Sequence, residues 1–131
     1  MESEFDRKVA LLTAKESRFA PEAYYFISEA VAFTVSRIKE RRHVAAWELL
    51  DGIRAFAAEK YGAVAGSVLT DWGMIMEDDA GEVVYLLIGV GLLRASEDDS
   101  PEDFKTGKVL FPAVPAIRVV RRKKDQLPFI V

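Results

Sequence analysis

Residues 41–93, which read RRHVAAWELLDGIRAFAAEKYGAVAGSVLTDWGMIMEDDAGEVVYLLIGVGLL, decide the fold predicted for this chain. They include both tryptophans and the only histidine, and their apolar residues recur at helical spacing. A helix predicted at about 46–60 has one apolar face, formed by Leu49, Leu50, Ile53, Phe56 and Ala57. Because glycine inside a helix costs about 1 kcal/mol relative to alanine, Gly52 predicts a close contact with another helix at this point.

Two further helices are predicted in the rest of this stretch. The fourth helix of the chain, at 62–72, has an apolar face formed by Val64, Ala65, Val68, Leu69 and Trp72. Gly73 follows directly and is suited to the left-handed conformation that ends many helices. The fifth helix, at about 80–92, is apolar almost all round and is therefore expected to be buried. Asp79 and Glu82 have the spacing of a capping box at its start.

The N-terminal residues predict a short amphipathic helix at about 4–16. Its apolar face is formed by Phe5, Val9 and Leu12. The first eight residues, MESEFDRK, alternate charges and lack the apolar run of a signal peptide. The longest uncharged apolar run, at 83–93, is about half as long as a bilayer-spanning helix must be. The sequence therefore predicts a cytoplasmic protein that does not enter a membrane.

A longer helix is predicted at about 21–39. It begins at Pro21, whose fixed backbone angle suits the first turn of a helix. With Ala20 as the N-cap, Phe19 and Tyr24 are spaced to pack together as a hydrophobic staple. Its apolar stripe is wide, so we expect a central helix with neighbours on more than one side.

Composition and charge limit the classes of function. The chain has 131 residues, half of them apolar, which fits one soluble globular domain. The net charge of −3 provides no general attraction to nucleic acid or to anionic membranes. With no cysteine, the chain has no disulfides, thiolate nucleophiles or thiolate metal ligands. The sequence lacks the patterns of a phosphate-binding loop, a dinucleotide-binding turn and a zinc site, so no cofactor is expected.

The sequence changes character after the fifth predicted helix. An acidic loop at 97–103 holds five carboxylates, from Glu97, Asp98, Asp99, Glu102 and Asp103. Residues 109–120 are rich in β-branched residues and are interrupted by two prolines, which allows only an edge strand or an extended segment. A basic run follows at 121–124, and the chain ends in the apolar residues LPFIV. We therefore divide the chain into a helical domain, 1–107, and an extended, partly basic tail, 108–131, that packs on this domain or extends from it.

Together these patterns predict a mainly α-helical protein, with a compact five-helix single domain and a small β element or extended tail near the C-terminus. A winged-helix-like arrangement is an alternative, because two successive helices followed by a hairpin have the order of that fold. The second of these helices would then enter the DNA major groove. Its start carries Glu77, Asp78, Asp79 and Glu82, which repel phosphate, so DNA recognition by this helix is not expected.

Six short motifs occur in a fixed order: Arg42-His43-Val44, Glu48-Leu49-Leu50, Gly52-Ile53-Arg54, Val68-Leu69, Trp72-Gly73 and DAGEVV at 79–84. In order and spacing they resemble a small bacterial family of short helical proteins, usually called the Minf family. The resemblance covers roughly residues 5–107 and implies no activity, ligand or catalytic residue. Family members tend to have serine where this chain has Ala45, which removes half of a capping box with Glu48. Ala80 stands where an aromatic residue is usual, and residues from Val109 onward do not follow the family pattern.

His43 is the only imidazole and is a candidate general base, which Glu40 or Glu48 would orient. A structural histidine at a corner between helices, with hydrogen bonds to the backbone, is the preferred interpretation. The reason is that no serine or cysteine nucleophile motif accompanies it. The sequence therefore does not predict an enzyme.

Three other groups of residues have a structural interpretation that we prefer to a functional one. The acidic loop lacks the glycine of a calcium-binding loop and is expected to be solvated. Glu48, Asp51 and Arg54, three residues apart, are expected to form a network on an exposed helix face. Helical spacing with neighbouring leucines predicts that Trp47 and Trp72 belong to the core rather than to a ligand-binding wall.

The tail is the part of the sequence that most favours binding, because it places five cations within seven residues before an apolar end. These cations could bind RNA, DNA or an acidic protein, or fold back onto the acidic loop at 97–103. We predict a protein-interaction or assembly module with an unidentified protein partner, and a homo-oligomer formed through the tail is one form that this could take. The alternative is a nucleic-acid-associated accessory protein, which we consider less well supported. The candidate partner-binding residues are Arg41, Arg42, His43, Arg118, Arg121, Arg122, Lys123 and Lys124.

Overall fold

A computed structural model of the chain describes residues 2–38, 43–95 and 99–112. These residues form four α-helices of twelve residues or more and one short α-helix, together with two 3₁₀ turns at Gly62–Val64 and Pro101–Phe104. The α-helices are α1 (Glu4–Lys15), α2 (Pro21–Arg37), α3 (Ala46–Tyr61), α4 (Ala65–Asp71) and α5 (Glu77–Gly89). The prediction of a mainly α-helical protein is confirmed. Whether four or five helices are counted depends on the seven-residue α4.

Helix α2 is central and packs against α1, α3 and α5. Its contact with α3 is the closest, since a Cβ atom built on Gly52 would lie only 1.8 Å from Thr34 Oγ1. The Thr34 hydroxyl is satisfied within its own helix, where it donates to the carbonyl of Ala30 at 2.8 Å. The predicted role of Gly52 in a close helix–helix contact is therefore confirmed.

Two predicted helix boundaries are confirmed by their local geometry. Ala20 is the N-cap of α2 with Pro21 in the first turn, and the rings of Phe19 and Tyr24 meet edge to face at 6.3 Å. After α4, Gly73 has a φ of +100°, in the left-handed region that glycine tolerates best. A side chain at Gly73 would also approach the carbonyl oxygen of Arg18 to 2.4 Å, so two physical requirements select glycine there.

Helix α5 begins earlier than predicted, at Glu77 rather than near 80, and ends at Gly89 rather than near 92. Asp79 is not the N-cap, because it lies in the first turn and its carboxylate accepts the backbone N–H of Met76 at 2.8 Å. The helix ends when Gly91 adopts a φ of +82° and the N–H of Leu92 donates to the carbonyl of Leu87 at 2.9 Å. This is the hydrogen-bond pattern of a glycine-terminated helix.

The residues after the second 3₁₀ turn return to the start of α5. Met76 and Val109 form an isolated antiparallel bridge, and the N–H of Leu110 donates to the carbonyl of Ile75 at 2.9 Å. Leu110 is fully buried, so the first residues of the predicted tail pack on the helical domain. Within the described ranges this bridge is not extended into a strand. Residues 99–112 do not form the hairpin of the winged-helix alternative, and residues 96–98 and 113–131 lie outside the described ranges, so that alternative stays a prediction.

Candidate functional site

The candidate site with the longest apolar lining among the described residues is a pocket of about 570 Å³ along the second half of α5; a shallower groove of about 590 Å³ lies between α1 and the start of α2. It lies between the C-terminal half of α2, the start of α3 and the turn at Pro101–Phe104. Its apolar wall is formed by Val31, Val35, Val44, Ala46, Leu49, Val84, Tyr85, Ile88, Leu92, Leu93 and Phe104. This volume lies within the range of natural binding pockets, which are mostly apolar with a few polar groups at defined positions. We call it the α5 pocket.

The α5 pocket exists because α5 carries more apolar surface than its neighbouring helices cover. The inner face of α5 is filled, since Val83 and Leu87 are fully buried. On the neighbouring face, Val84 is buried and Ile88 is partly buried, and both line the pocket. On the opposite wall Val35 remains 52% exposed, although it is apolar. Unfilled space between apolar walls is the property that distinguishes this region from the core.

The rim of the α5 pocket is polar and carries more negative than positive charge. Asp99 and Asp103 contribute two carboxylates, and Arg94 contributes one guanidinium. Tyr85 lies between wall and rim, and its ring meets Phe104 edge to face at 6.2 Å. Burial raises the pKa of the Tyr85 hydroxyl above its usual value, and the two aspartates raise it further. The rim therefore combines a neutral phenol with acidic groups, which suits cationic ligand groups.

His43 lies at this rim, where its Nε2 atom contacts a carboxylate oxygen of Asp99. The contact joins the residues before α3 to the turn after α5, which are 56 positions apart in sequence. His43 lies between α2 and α3 in sequence, and a side-chain carboxylate is among its partners. The predicted hydrogen bonds of His43 to the backbone stay a prediction. The predicted orienting residue Glu48 acts elsewhere, since it accepts the N–H of Ala45 at 3.0 Å at the start of α3. Glu40 lies outside the described residues.

A second polar cluster, at the opposite end of α5, consists of Arg54, Glu77 and Thr106, which we call the clasp. Glu77 is buried, and its carboxylate accepts from the Arg54 guanidinium and from the Thr106 hydroxyl, the latter at 2.6 Å. Arg54 Nε also donates to the carbonyl of Leu110 at 2.6 Å. The clasp thus ties α3, α5 and the segment 104–111 together. The prediction that Arg54 belongs to an exposed network with Glu48 and Asp51 is wrong for its main partner, which is the buried Glu77. Arg54 also contacts the exposed Asp51, at 3.2 Å.

The other acidic residues at the start of α5 also have structural partners. Asp78 accepts the backbone N–H of Gly107 at 3.0 Å. Arg18, in the loop before α2, donates to Asp79 at 3.0 Å and also to Glu82. No local pattern predicts this role of Arg18, because its partners are more than 60 positions away in sequence. These carboxylates hold the fold together, and no ligand is needed to explain them.

The two tryptophans differ from the prediction that both belong to the core. Trp47 is 66% exposed, so this prediction is wrong for Trp47. Trp72 is half-buried at the edge of the core, where its ring lies 5.8 Å from both Phe26 and Tyr61. Trp47 is nevertheless adjacent in sequence to Ala46, which lines the α5 pocket.

Of the residues predicted to bind a partner, the structure describes His43 alone. Arg41, Arg42, Arg118, Arg121, Arg122, Lys123 and Lys124 lie outside the described residues. Of the acidic loop, Asp99, Glu102 and Asp103 are described, and two of them reach the α5 pocket. Within 2–38, 43–95 and 99–112, no three histidine, aspartate or glutamate side chains are arranged to hold a metal ion. None of the helices in these ranges is long and apolar enough to cross a membrane.

Comparison of the chain with protein-family models, with curated proteins and with solved structures finds no match. The resemblance to the Minf family therefore stays a prediction, and the α5 pocket is interpreted from its own geometry.

Proposed function

We propose that this protein is a protein-interaction module, and that the α5 pocket binds a partner segment in which basic residues stand beside apolar ones. The observation that carries the proposal is the combination of an unfilled apolar wall with an acidic rim. The apolar wall favours aliphatic or aromatic side chains, whose transfer from water contributes about 25 cal/mol for each Å² buried. The carboxylates of Asp99 and Asp103 favour lysine or arginine next to them and disfavour acidic sequences.

Binding of a peptide by this pocket resembles the general case of a segment laid into a hydrophobic groove. Part of the wall is already accessible, as Val35 is exposed, so binding does not require the core to open. The rim is fixed by contacts on two sides: His43 holds Asp99, and Phe104 is buried against α5. A rigid rim reduces the entropy that the module loses on binding.

To test the proposal, peptides that bind the full chain are selected from a displayed library of random twelve-residue peptides. We expect enriched peptides to share lysine or arginine followed by aliphatic or aromatic residues. Their affinity is then measured by fluorescence anisotropy for the wild type and for Val35→Lys, which adds a like charge to the apolar wall. We expect Val35→Lys to weaken binding at least about tenfold, which corresponds to about 1.4 kcal/mol.

The matched control is Val64→Lys, because Val64 is 57% exposed and Val35 is 52% exposed, but Val64 does not line the α5 pocket. This variant has the same change in net charge and should bind the selected peptides within about twofold of the wild type. Equal weakening by the two variants would show that the peptides respond to charge alone. No enrichment at all would remove the basis of the proposal.

The alternative function, nucleic-acid association through the basic run, is the less well supported one. The described carboxylates at the start of α5 and at the pocket rim repel phosphate. We expect dissociation constants of about 10⁻⁴–10⁻⁶ M or weaker, with affinity collapsing as salt is raised to physiological levels. Anisotropy with single- and double-stranded probes checks this, beside a variant with Arg121, Arg122, Lys123 and Lys124 changed to glutamine. Tight, salt-resistant binding that is lost in the variant would favour the alternative.

A further inference from the structure

The last eleven residues of the chain, RRKKDQLPFIV at 121–131, have the composition that the α5 pocket favours. Four consecutive cations precede a short apolar end that contains Phe129 and Ile130. The pocket offers the complementary set, with two carboxylates at its rim and an apolar wall below them. These residues lie outside the described part of the chain, which ends at Pro112.

The chain is long enough to reach the pocket from its last anchored point. Leu110 is held at the start of α5 by its hydrogen bond to Ile75, and the pocket lies along Val84 and Ile88 in the same helix. With a rise of 1.5 Å per helical residue, this separation is about 12–18 Å along the helix. The nine residues from 113 to 121 span up to about 30 Å when extended. The basic run can therefore reach the rim, and the apolar end can reach the wall beyond it.

We propose that residues 121–131 occupy the α5 pocket of the same chain, with the basic run against Asp99 and Asp103 and the apolar end on Val35 and Ile88. The inference rests on the proposed function in one respect, since both need this pocket to bind an apolar segment next to basic residues. A short connection keeps the segment at an effective concentration in the millimolar range, so the same chain outcompetes a second copy at micromolar protein. A partner then binds by displacing the segment, and its apparent affinity falls by the fraction of pockets left open.

A second groove provides a demanding comparison, because it lies nearer to the point where the described chain ends. It has a volume of about 290 Å³ and is lined by residues that include Ser67, Asp71, Ile75 and Phe111. It is half the size of the α5 pocket and has one carboxylate in its lining instead of two. Because this groove is nearer to Pro112, proximity alone would favour binding of residues 121–131 there. The larger volume and the additional carboxylate favour their binding in the α5 pocket.

Paired cysteines distinguish these sites in the full chain, because the natural sequence has no cysteine. One variant combines Val35→Cys with Ile130→Cys, and the matched control combines Ser67→Cys with Ile130→Cys. Both are equilibrated in a glutathione buffer, and mass spectrometry with non-reducing gels measures the disulfides formed within one chain and between chains. We expect the Val35 pair to close within one chain with an effective concentration at least about tenfold above that of the Ser67 pair. Equal closure of the two pairs, preferential closure of the Ser67 pair or disulfide-linked dimers as the main product would each overturn the inference.

A release variant separates this inference from the proposed function. Ile130→Asp places a charge in the apolar end and leaves every described residue unchanged. If the segment fills about nine pockets in ten, its release should tighten the binding of a library-selected peptide about tenfold. Unchanged peptide affinity in this variant overturns the inference, although binding that still depends on Val35 leaves the proposed function intact. If no peptide binds either form, the proposed function fails, and closure of the Val35 pair then decides the inference alone.

Discussion

The first turns of α5 and its last turns have opposite surroundings. At the first end, Glu77 is buried and paired, and Gly81 lies so close to the turn after α5 that a Cβ atom would come within 2.2 Å of Phe104 Cβ. At the other end, Val84 and Ile88 line the α5 pocket, and a Cβ atom added to Gly89 would meet nothing within 4 Å. One end of the helix is filled and carries most of the charge, while the other is apolar and leaves space.

This difference shows which kind of residue marks the binding region in this protein. The conspicuous carboxylates at the start of α5 have partners in the fold, so they contribute to structure. The residues proposed to bind a partner are ordinary apolar side chains, of which Val35 is exposed and Ile88 and Leu92 are only partly buried. Such a surplus of apolar surface is informative when it is concave and bordered by polar groups.

The largest effect is expected at the clasp. Glu77→Ala leaves the partly buried guanidinium of Arg54 in α3 without its buried partner, and removes the acceptor of the Thr106 hydroxyl. Breaking a buried ion pair from one side costs about 3–5 kcal/mol, and the partial exposure of Arg54 moves the expected loss to about 3 kcal/mol. Denaturant unfolding of the two proteins measures this difference.

The matched control for Glu77→Ala is Asp51→Ala, which removes an exposed partner of the same guanidinium. Exposed ion pairs contribute less than about 1 kcal/mol, so this variant should unfold close to the wild type. Similar losses from the two changes would mean that the clasp is no stronger than a surface contact. The buried contacts at the filled end of α5 would then not be the strong contribution to stability that separates it from the open end.

The next largest effect is expected from the tryptophans. Trp72→Ala removes ring contacts with Phe26 and Tyr61 and should destabilise the protein by about 2–3 kcal/mol, less than the 3–5 kcal/mol of a fully buried aromatic. Trp47→Ala, beside the α5 pocket, should change the free energy of unfolding by about 0.5 kcal/mol or less because this side chain is largely exposed. Denaturant midpoints measure both, and a large loss at Trp47 would show that it is covered by part of the chain in solution.

The same substitution at the two ends of α5 tests the comparison directly. Gly81→Ala should be destabilising by about 1–2 kcal/mol, because overpacking against Phe104 outweighs the gain in helix propensity. Gly89→Ala meets open space and should be stabilising by about 0.5 kcal/mol through helix propensity alone. Thermal or denaturant unfolding measures both changes. Effects of the same sign would show that the two ends of α5 are packed alike.

The sequence predicted features that depend on nearby residues. Pro21 with Ala20 gives the start of α2, Gly73 gives the end of α4, and Gly52 marks the contact of α2 with α3. In each case the requirement is a backbone angle or the absence of a side chain, and both can be read from residue type. The mainly helical class follows from the same apolar periodicity.

The sequence did not predict features set by residues far apart along the chain. The predicted start of α5 is too late because Asp79 and Glu82 have the spacing of a capping box, whereas the N–H of Glu77 donates to the carbonyl of the distant Lys108 at 2.9 Å. Trp47 was assigned to the core because helical spacing defines a face but does not show where the neighbouring helix ends. The α5 pocket was missed for the same reason, since apolar residues predict burial and only the packing of α2, α3 and α5 shows which remain uncovered.

The smallest effect is expected where α3 begins, beside the α5 pocket. Ala45 is the N-cap of α3, and half of a capping box is present because Glu48 accepts the N–H of Ala45 at 3.0 Å. The other half, a side-chain acceptor for a backbone N–H of the first turn, is missing, because alanine has none. Ala45 has φ −74° and ψ 157°, which a serine N-cap also adopts, so Ala45→Ser should stabilise by a few tenths to about 1 kcal/mol. The control is Ala45→Gly, which supplies no acceptor and should gain less than serine. A denaturant midpoint for Ala45→Ser at or below that of Ala45→Gly would mean that other acceptors already satisfy the backbone N–H groups in the first turn of α3.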